Sequence, residues 1–230
     1  HGGYFGNIVS LLIKQKIRVV LWDQPGYGLS TGKKGYCHSF EDYVLVADFI
    51  INKFKEEEEE TSKILLGHSA GCAQILSLIR DRKIAQNDKI VFIAPLIHCA
   101  QWKLALTGLF LFGSILKRIP RKLKNVSSDK EFLSKIRSDH LEEKWIDISW
   151  PKAMVKWEKT MIDLKTPIFH TLVLQGDLDD TVDWRYNLKW LENKFSNLEK
   201  LFLKGGHHHL HNESPDLLRP CLKAIEDFVK

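Results

Sequence analysis

Five short apolar runs punctuate the chain: Arg18–Trp22, Lys63–Leu66, Lys89–Ala94, Thr171–Gln175 and Lys200–Leu203. "IRVVLW" and "TLVLQ" are almost uninterrupted hydrophobic stretches, the pattern of parallel strands covered on both faces. Between the runs, apolar residues recur at helical spacing over Asn7–Lys16, Phe40–Lys55, Ala70–Arg80, Trp184–Phe195 and Pro215–Val229. Ser39 with Asp42 forms a capping-box pair, and Ser214-Pro215 is a helix start. This alternation predicts an α/β fold, a mostly parallel central sheet flanked by helices. No internal repeat is present. The acidic run Lys55–Glu60 reads as the solvated end of a helix.

One segment interrupts the alternation. Residues 97–166 are too long for a simple strand connection and show no convincing strand, so they read as an inserted helical cap. The core is then 1–96 with 167–230. Leu104–Leu116 is apolar nearly all round and runs into the basic "KRIPRKLK". That combination suits a lid over a site, and equally a peripheral contact with an anionic membrane surface. The later stretch Asp147–Met161 offers aromatics, methionines and a proline turn, the lining expected of a groove.

Composition narrows the classes. At 230 residues, with 44% apolar and 27% charged residues, the chain suits one domain with a full core. The net charge of +5 is scattered. Without a basic stripe interleaved with aromatics, nucleic acid is not an expected partner. Cys37, Cys72, Cys99 and Cys221 form no C-x-x-C pair, the pattern of reduced thiols in a cytoplasm-like compartment. No apolar run reaches bilayer-spanning length.

The chemistry concentrates at "LLGHSAGCA", Leu65–Ala73, where a serine stands between two glycines at the end of a strand and the start of a helix. A nucleophile elbow has this form. The turn lifts the Ser69 hydroxyl above the sheet edge and aims helix N–H groups at the carbonyl group it attacks. Gly67 and Gly71 are expected to make room for the turn, and Ala70, Cys72 and Ala73 to keep the helix close. A serine hydroxyl needs a base, and the base an orienting acid. Carboxylates follow the fourth run in "GDLDDTVDW" and histidines follow the fifth in "GGHHHLH", the order Ser, acid, His.

Together "HGG" at His1, "DQPGYGLSTG" at Asp23, "GHSAG" at Gly67, "APL" at Ala94, "GDLDDTV" and "GGHHHLHNESPD" make the chain resemble the α/β-hydrolase superfamily. Within it, the chain is similar to monoacylglycerol lipase and lysophospholipase-like serine hydrolases. The resemblance implies Ser69 as nucleophile, Asp179 as acid and His207, directly after a glycine, as base. It implies oxyanion donors at the backbone N–H of Ala70 and of Gly3, with Tyr4 in reserve. Asp177 is then left to bond turn amides, Asp180 to the surface and Asp183 to an N-cap. His208, His209 and His211 are left to surface or packing positions, His1 to bracing its loop and His68 to structure. Consecutive histidines point in different directions, and no Cys or carboxylate at ligand spacing joins them, so neither metal nor cofactor is expected. The resemblance also implies that a further strand precedes His1 and runs between Arg18–Trp22 and Lys63–Leu66.

The expected function is hydrolysis of a carboxylic ester, a lipid such as a monoacylglycerol or lysophospholipid. Peptidase, thioesterase or C–C hydrolase chemistry on the same fold is the alternative, and a non-catalytic receptor a third. A peptidase holding a free ammonium calls for cap carboxylates, for which Glu142, Glu143 and Asp147 are the candidates.

Overall fold

The computed structural model describes residues 1–57, 62–121, 125–165 and 168–230. In chain order the elements are α1 (Gly6–Lys14), α2 (Phe40–Glu57), β1 (Ile64–His68), α3 (Ala70–Arg80), β2 (Lys89–Ile93) and α4 (Trp102–Phe112). There follow β3 (Arg118–Pro120), α5 (Lys130–Ser138), β4 (Trp145–Asp147), α6 (Ser149–Thr160), β5 (Thr171–Gly176), α7 (Trp184–Lys194), β6 (Leu198–Leu203) and α8 (Pro215–Val229). Residues 58–60 of the acidic run lie outside the described residues, as does the end of "KRIPRKLK".

The sheet is parallel, in the order β1-β2-β5-β6. Its strands alternate between two cores. Ile90, Phe92 and Val173 face α2, α3, α6 and α7, where Phe40, Leu76, Trp157 and Leu191 are buried. Val91, Ile93, Leu172 and Leu174 face α1 and α8, against Ile8, Ile225 and Phe228. Burial on both faces is why these strands read as continuous hydrophobic runs. Since all four strands run the same way, their C-terminal ends share one edge, where an open α/β sheet places its ligands.

Three expectations are corrected. Arg18–Trp22 is no strand: among the described residues it joins no strand ladder, and Val20 and Leu21 are exposed. An apolar run becomes a strand only where a neighbour supplies its ladder. Second, the inserted segment does contain strands, since β3 and β4 form a short antiparallel ribbon. Third, Asp147–Met161 is no groove lining. Met154, Trp157 and Met161 are buried in the main core, and the Trp157 indole N–H donates to Ser77 Oγ at 2.7 Å. By contrast, α4 buries no residue, and Phe110 is 88% exposed. Among the described residues no helix is long and apolar enough to cross a membrane.

Candidate active site

Ser69 joins β1 to α3 with φ 54° and ψ −118°, in the region that non-glycine residues avoid. Such backbone costs about 1–3 kcal/mol and persists only where surroundings impose it. Here they do. Ser69 N–H donates to Ile93 O at 3.0 Å, extending the β1–β2 ladder, while Ser69 O accepts from Cys72 N at 3.0 Å and Leu96 N at 3.3 Å. A Cβ on Gly67 would lie 2.7 Å from the Gly71 carbonyl carbon and 2.8 Å from Cys72 N, so only glycine lets helix and strand meet. Gly71 is different from the expectation: a Cβ there meets nothing within 4 Å. The neighbouring Cys72 is no rival nucleophile, because burial pushes its thiol up and it donates to Gly67 O at 3.1 Å. Ala70 N–H opens α3, has no acceptor one turn back, and sits at the positive end of the helix dipole.

Asp179 follows β5 and its side chain is fully buried. Oδ1 accepts Thr181 N–H at 2.9 Å and Val182 N–H at 3.2 Å. Oδ2 accepts from Gln175 Nε2 at 3.2 Å and meets an imidazole Nδ1 at 2.9 Å. Burial by itself would raise this carboxyl, but the imidazole and the N–H donors outweigh it and hold the group below the usual carboxylate range. The other acidic residues fall into the supporting places expected of them. Asp177 Oδ1 accepts Gly205 N–H at 2.6 Å, Asp180 is exposed, and Asp183 caps α7 by accepting Tyr186 N–H at 3.2 Å.

That imidazole belongs to His208, not to His207. The His207 ring turns to Glu213, whose Oε1 accepts its main-chain N–H at 2.6 Å and meets Nδ1 at 2.9 Å. The structure does not bring His207 and Asp179 together. The reason is local. A Cβ on Gly176 would lie 2.1 Å from Gly206 O, and Gly206 O also accepts Leu178 N–H at 2.9 Å, so the glycine turn is pressed onto the end of β5. Successive side chains leaving that turn diverge, one to Glu213 and the next back to Asp179. The buried Glu213, six residues past His207, is the sequence signal for this arrangement. His208 in turn adjoins the elbow, because its carbonyl oxygen lies 3.0 Å from His68 Nε2 and the two rings are 4.7 Å apart.

The His1–Tyr4 segment is a 3-10 turn tied down at several points. Asp23 accepts Gly2 N–H at 2.6 Å and Leu29 N–H at 2.8 Å, and these donors keep its carboxyl below the usual range although burial opposes them. A Cβ on Gly28 (φ 53°) would lie 2.1 Å from Asp23 Oδ2, so "DQPGYG" shapes the floor under this loop. His1 does brace it: Nε2 meets Asp139 Oδ2, which also accepts the Tyr4 hydroxyl, both at 2.9 Å. One detail departs from the expectation. Gly3 N–H, assigned as an oxyanion donor, donates to His1 Nδ1 at 3.1 Å, whereas Tyr4 N–H makes only a long 3.5 Å bond to His1 O.

Comparisons with known proteins agree with this architecture. The serine aminopeptidase S33 family matches residues 1–215. A monoglyceride lipase homolog of monkeypox virus is 26% identical over 239 residues, covering 100% of this chain and 85% of the relative. A phospholipase of Bacillus subtilis is 24% identical over 226 residues, covering 93% of this chain and 85% of its own. Among solved structures, the monoacylglycerol lipase of Paleococcus ferrophilus superposes with a TM-score of 0.80 at 22% identity, covering 100% of this chain and 89% of its own. The chain belongs to the serine aminopeptidase S33 family and is a serine hydrolase of the α/β-hydrolase fold.

Proposed function

We propose that the protein hydrolyses a carboxylic ester of a lipid, such as a monoacylglycerol or lysophospholipid, with Ser69, His208 and Asp179 as the catalytic set. The Asp179–His208 hydrogen bond at the sheet edge that carries the Ser69 elbow supports this reading above all else. With Nδ1 engaged by Asp179, His208 Nε2 is the nitrogen left to take the Ser69 proton as Oγ attacks the ester carbonyl. Asp179, ionised and held in place, stabilises the imidazolium that forms. The developing oxyanion is met by Ala70 N–H and by an amide of the His1–Tyr4 turn, Gly3 or Tyr4, once that amide leaves its bond to His1. The imidazolium returns the proton to the leaving alcohol. Water, deprotonated by His208, then hydrolyses the acyl-enzyme and frees the carboxylic acid and Ser69.

The lipid class rests on the exposed apolar surface of α4 and the turn after it, Phe110, Leu111, Phe112 and Ile115, and on the lipases and phospholipase among the relatives. A peripheral membrane contact through this surface belongs to the same proposal. An aminopeptidase needs free carboxylates for the substrate ammonium, and two of the three candidates are already neutralised. Glu142 is buried against Arg121, and Asp147 meets Lys33 Nζ at 2.5 Å. The test is a fluorophosphonate probe together with p-nitrophenyl esters of increasing acyl length. Ser69 is expected to carry the label, Ser69→Ala to abolish it, and longer acyl chains to be cleaved faster than acetate. Labelling that survives Ser69→Ala, or turnover of aminoacyl amides without turnover of esters, overturns the reading.

A further inference from the structure

Beside the Asp179–His208 pair lies a second group of histidines with no part in the proposed chemistry. His68, His209 and His211 each bring a ring nitrogen to within 4.8 Å of the others. His68 ends β1, immediately before Ser69; His209 and His211 flank Leu210 in the loop after β6. His211 is fully buried and His209 nearly so, and Phe5 stacks on the His211 ring at 4.8 Å while Phe132 covers His209 at 5.2 Å. Aromatic walls leave these rings few partners. Both nitrogens of His211 and Nδ1 of His209 have no hydrogen-bond partner among the described residues. A neutral imidazole always carries one N–H and one lone pair, so a ring buried with both unmet forfeits its hydration without return.

We propose that His68, His209 and His211 form a binding site for one divalent transition ion of the zinc class. Imidazole nitrogen is the ligand such ions favour, and three histidines are a protein ligand count found in zinc sites. His68 Nε2 lies 3.0 Å from the His208 carbonyl oxygen. Donating a proton there fixes the tautomer and leaves Nδ1 free, which is how the outer partner of a ligating histidine acts. Donors on a tetrahedral ion stand roughly 3.3 Å apart, given Zn–N of about 2.0–2.1 Å. Binding therefore draws the three nitrogens inward by rotation about side-chain bonds, tightening the loop after β6 onto β1.

Nothing in this proposal depends on the ester chemistry, and the test reads the metal directly. The full chain, stripped with a chelator and exchanged into metal-free buffer, is titrated with zinc against a chromophoric competitor and with cobalt(II) by visible absorption. One equivalent of zinc is expected, with the intense d–d bands of a low-coordinate cobalt site and a melt that rises on adding metal. His209→Gln and His211→Gln are expected to weaken zinc at least tenfold, and His170→Gln, a histidine remote from the cluster, to leave it unchanged. Should either cluster variant fail to fold, the wild-type cobalt spectrum still decides. No stoichiometric zinc, a six-coordinate aqueous-like cobalt spectrum, or equal affinity in the folded cluster variants overturns the site.

Discussion

Two neighbouring histidines each meet a fully buried carboxylate through Nδ1 at 2.9 Å: His208 with Asp179, and His207 with Glu213. By distance and burial the pairs are almost interchangeable, yet their surroundings differ. The remaining donors on Asp179 come from its own turn and from β5, so the pair is anchored to the sheet edge that carries Ser69. Glu213 instead gathers the His207 amide with the Ser127 and Ser128 hydroxyls and the Ser128 amide, at 2.6 Å, stitching the histidine loop to the segment before α5. An acid–imidazole contact is therefore not in itself a catalytic signature. What separates the two is position: His208 is the one whose ring and carbonyl lie against His68, the residue before Ser69.

The largest effect separates the pairs by rate. His208→Ala should lower kcat by about 10⁴–10⁶-fold, the scale of losing a triad base, and Asp179→Asn by about 10⁴-fold. His207→Ala should cost less than about tenfold in kcat, since only the placement of the loop changes. Steady-state rates on one soluble ester decide it, and a crippled His207→Ala beside an active His208→Ala would reverse the assignment.

Stability should show the opposite order. Glu213→Gln keeps the side-chain shape but removes the charge from a buried cluster of donors, and should cost about 1–3 kcal/mol in a denaturant melt, the range for a weakened charged hydrogen bond. Its kcat should stay near wild type. A Glu213→Gln protein that melts normally but has lost turnover would mean that this carboxylate, too, serves the reaction.

The unequal legibility of the site has a physical basis. Ser69 could be read from five residues because the elbow demands glycine at Gly67 and small residues behind the turn, constraints confined to one strand–helix junction. Asp179 was legible only through the resemblance, which places the acid three residues after Gly176. The histidine lay in a run of like residues, where choosing among them depends on how Gly206 packs on β5 and where Glu213 sits, contacts between segments far apart in sequence. The same distinction governs the rest of the fold. The covered strands β2 and β5 were plain from hydrophobic runs, whereas Arg18–Trp22 has the same pattern but joins no strand ladder among the described residues. Likewise α4 and α6 both fall in the segment read as a helical cap. Only the packing of Trp157 against Phe40 and Ser77 shows that α6 belongs to the core, while α4 stands open.

The smallest effect sharpens the contrast through pH. Asp179 has its carboxyl held below the unfolded value of about 3.9. A group depressed in this way stabilises the fold fully above the unfolded value, and the contribution drains away as pH falls through the folded value, because the unfolded chain then binds the proton more readily. Asp179→Asn carries no such proton. Its melting temperature should therefore fall furthest below wild type near neutrality, and the two curves should converge as the buffer is taken below about pH 4. Melts at a series of pH values give the difference directly. A gap that widens on acidification would mean the Asp179 carboxyl is raised rather than depressed in the folded protein, with burial outweighing the imidazole and its N–H donors.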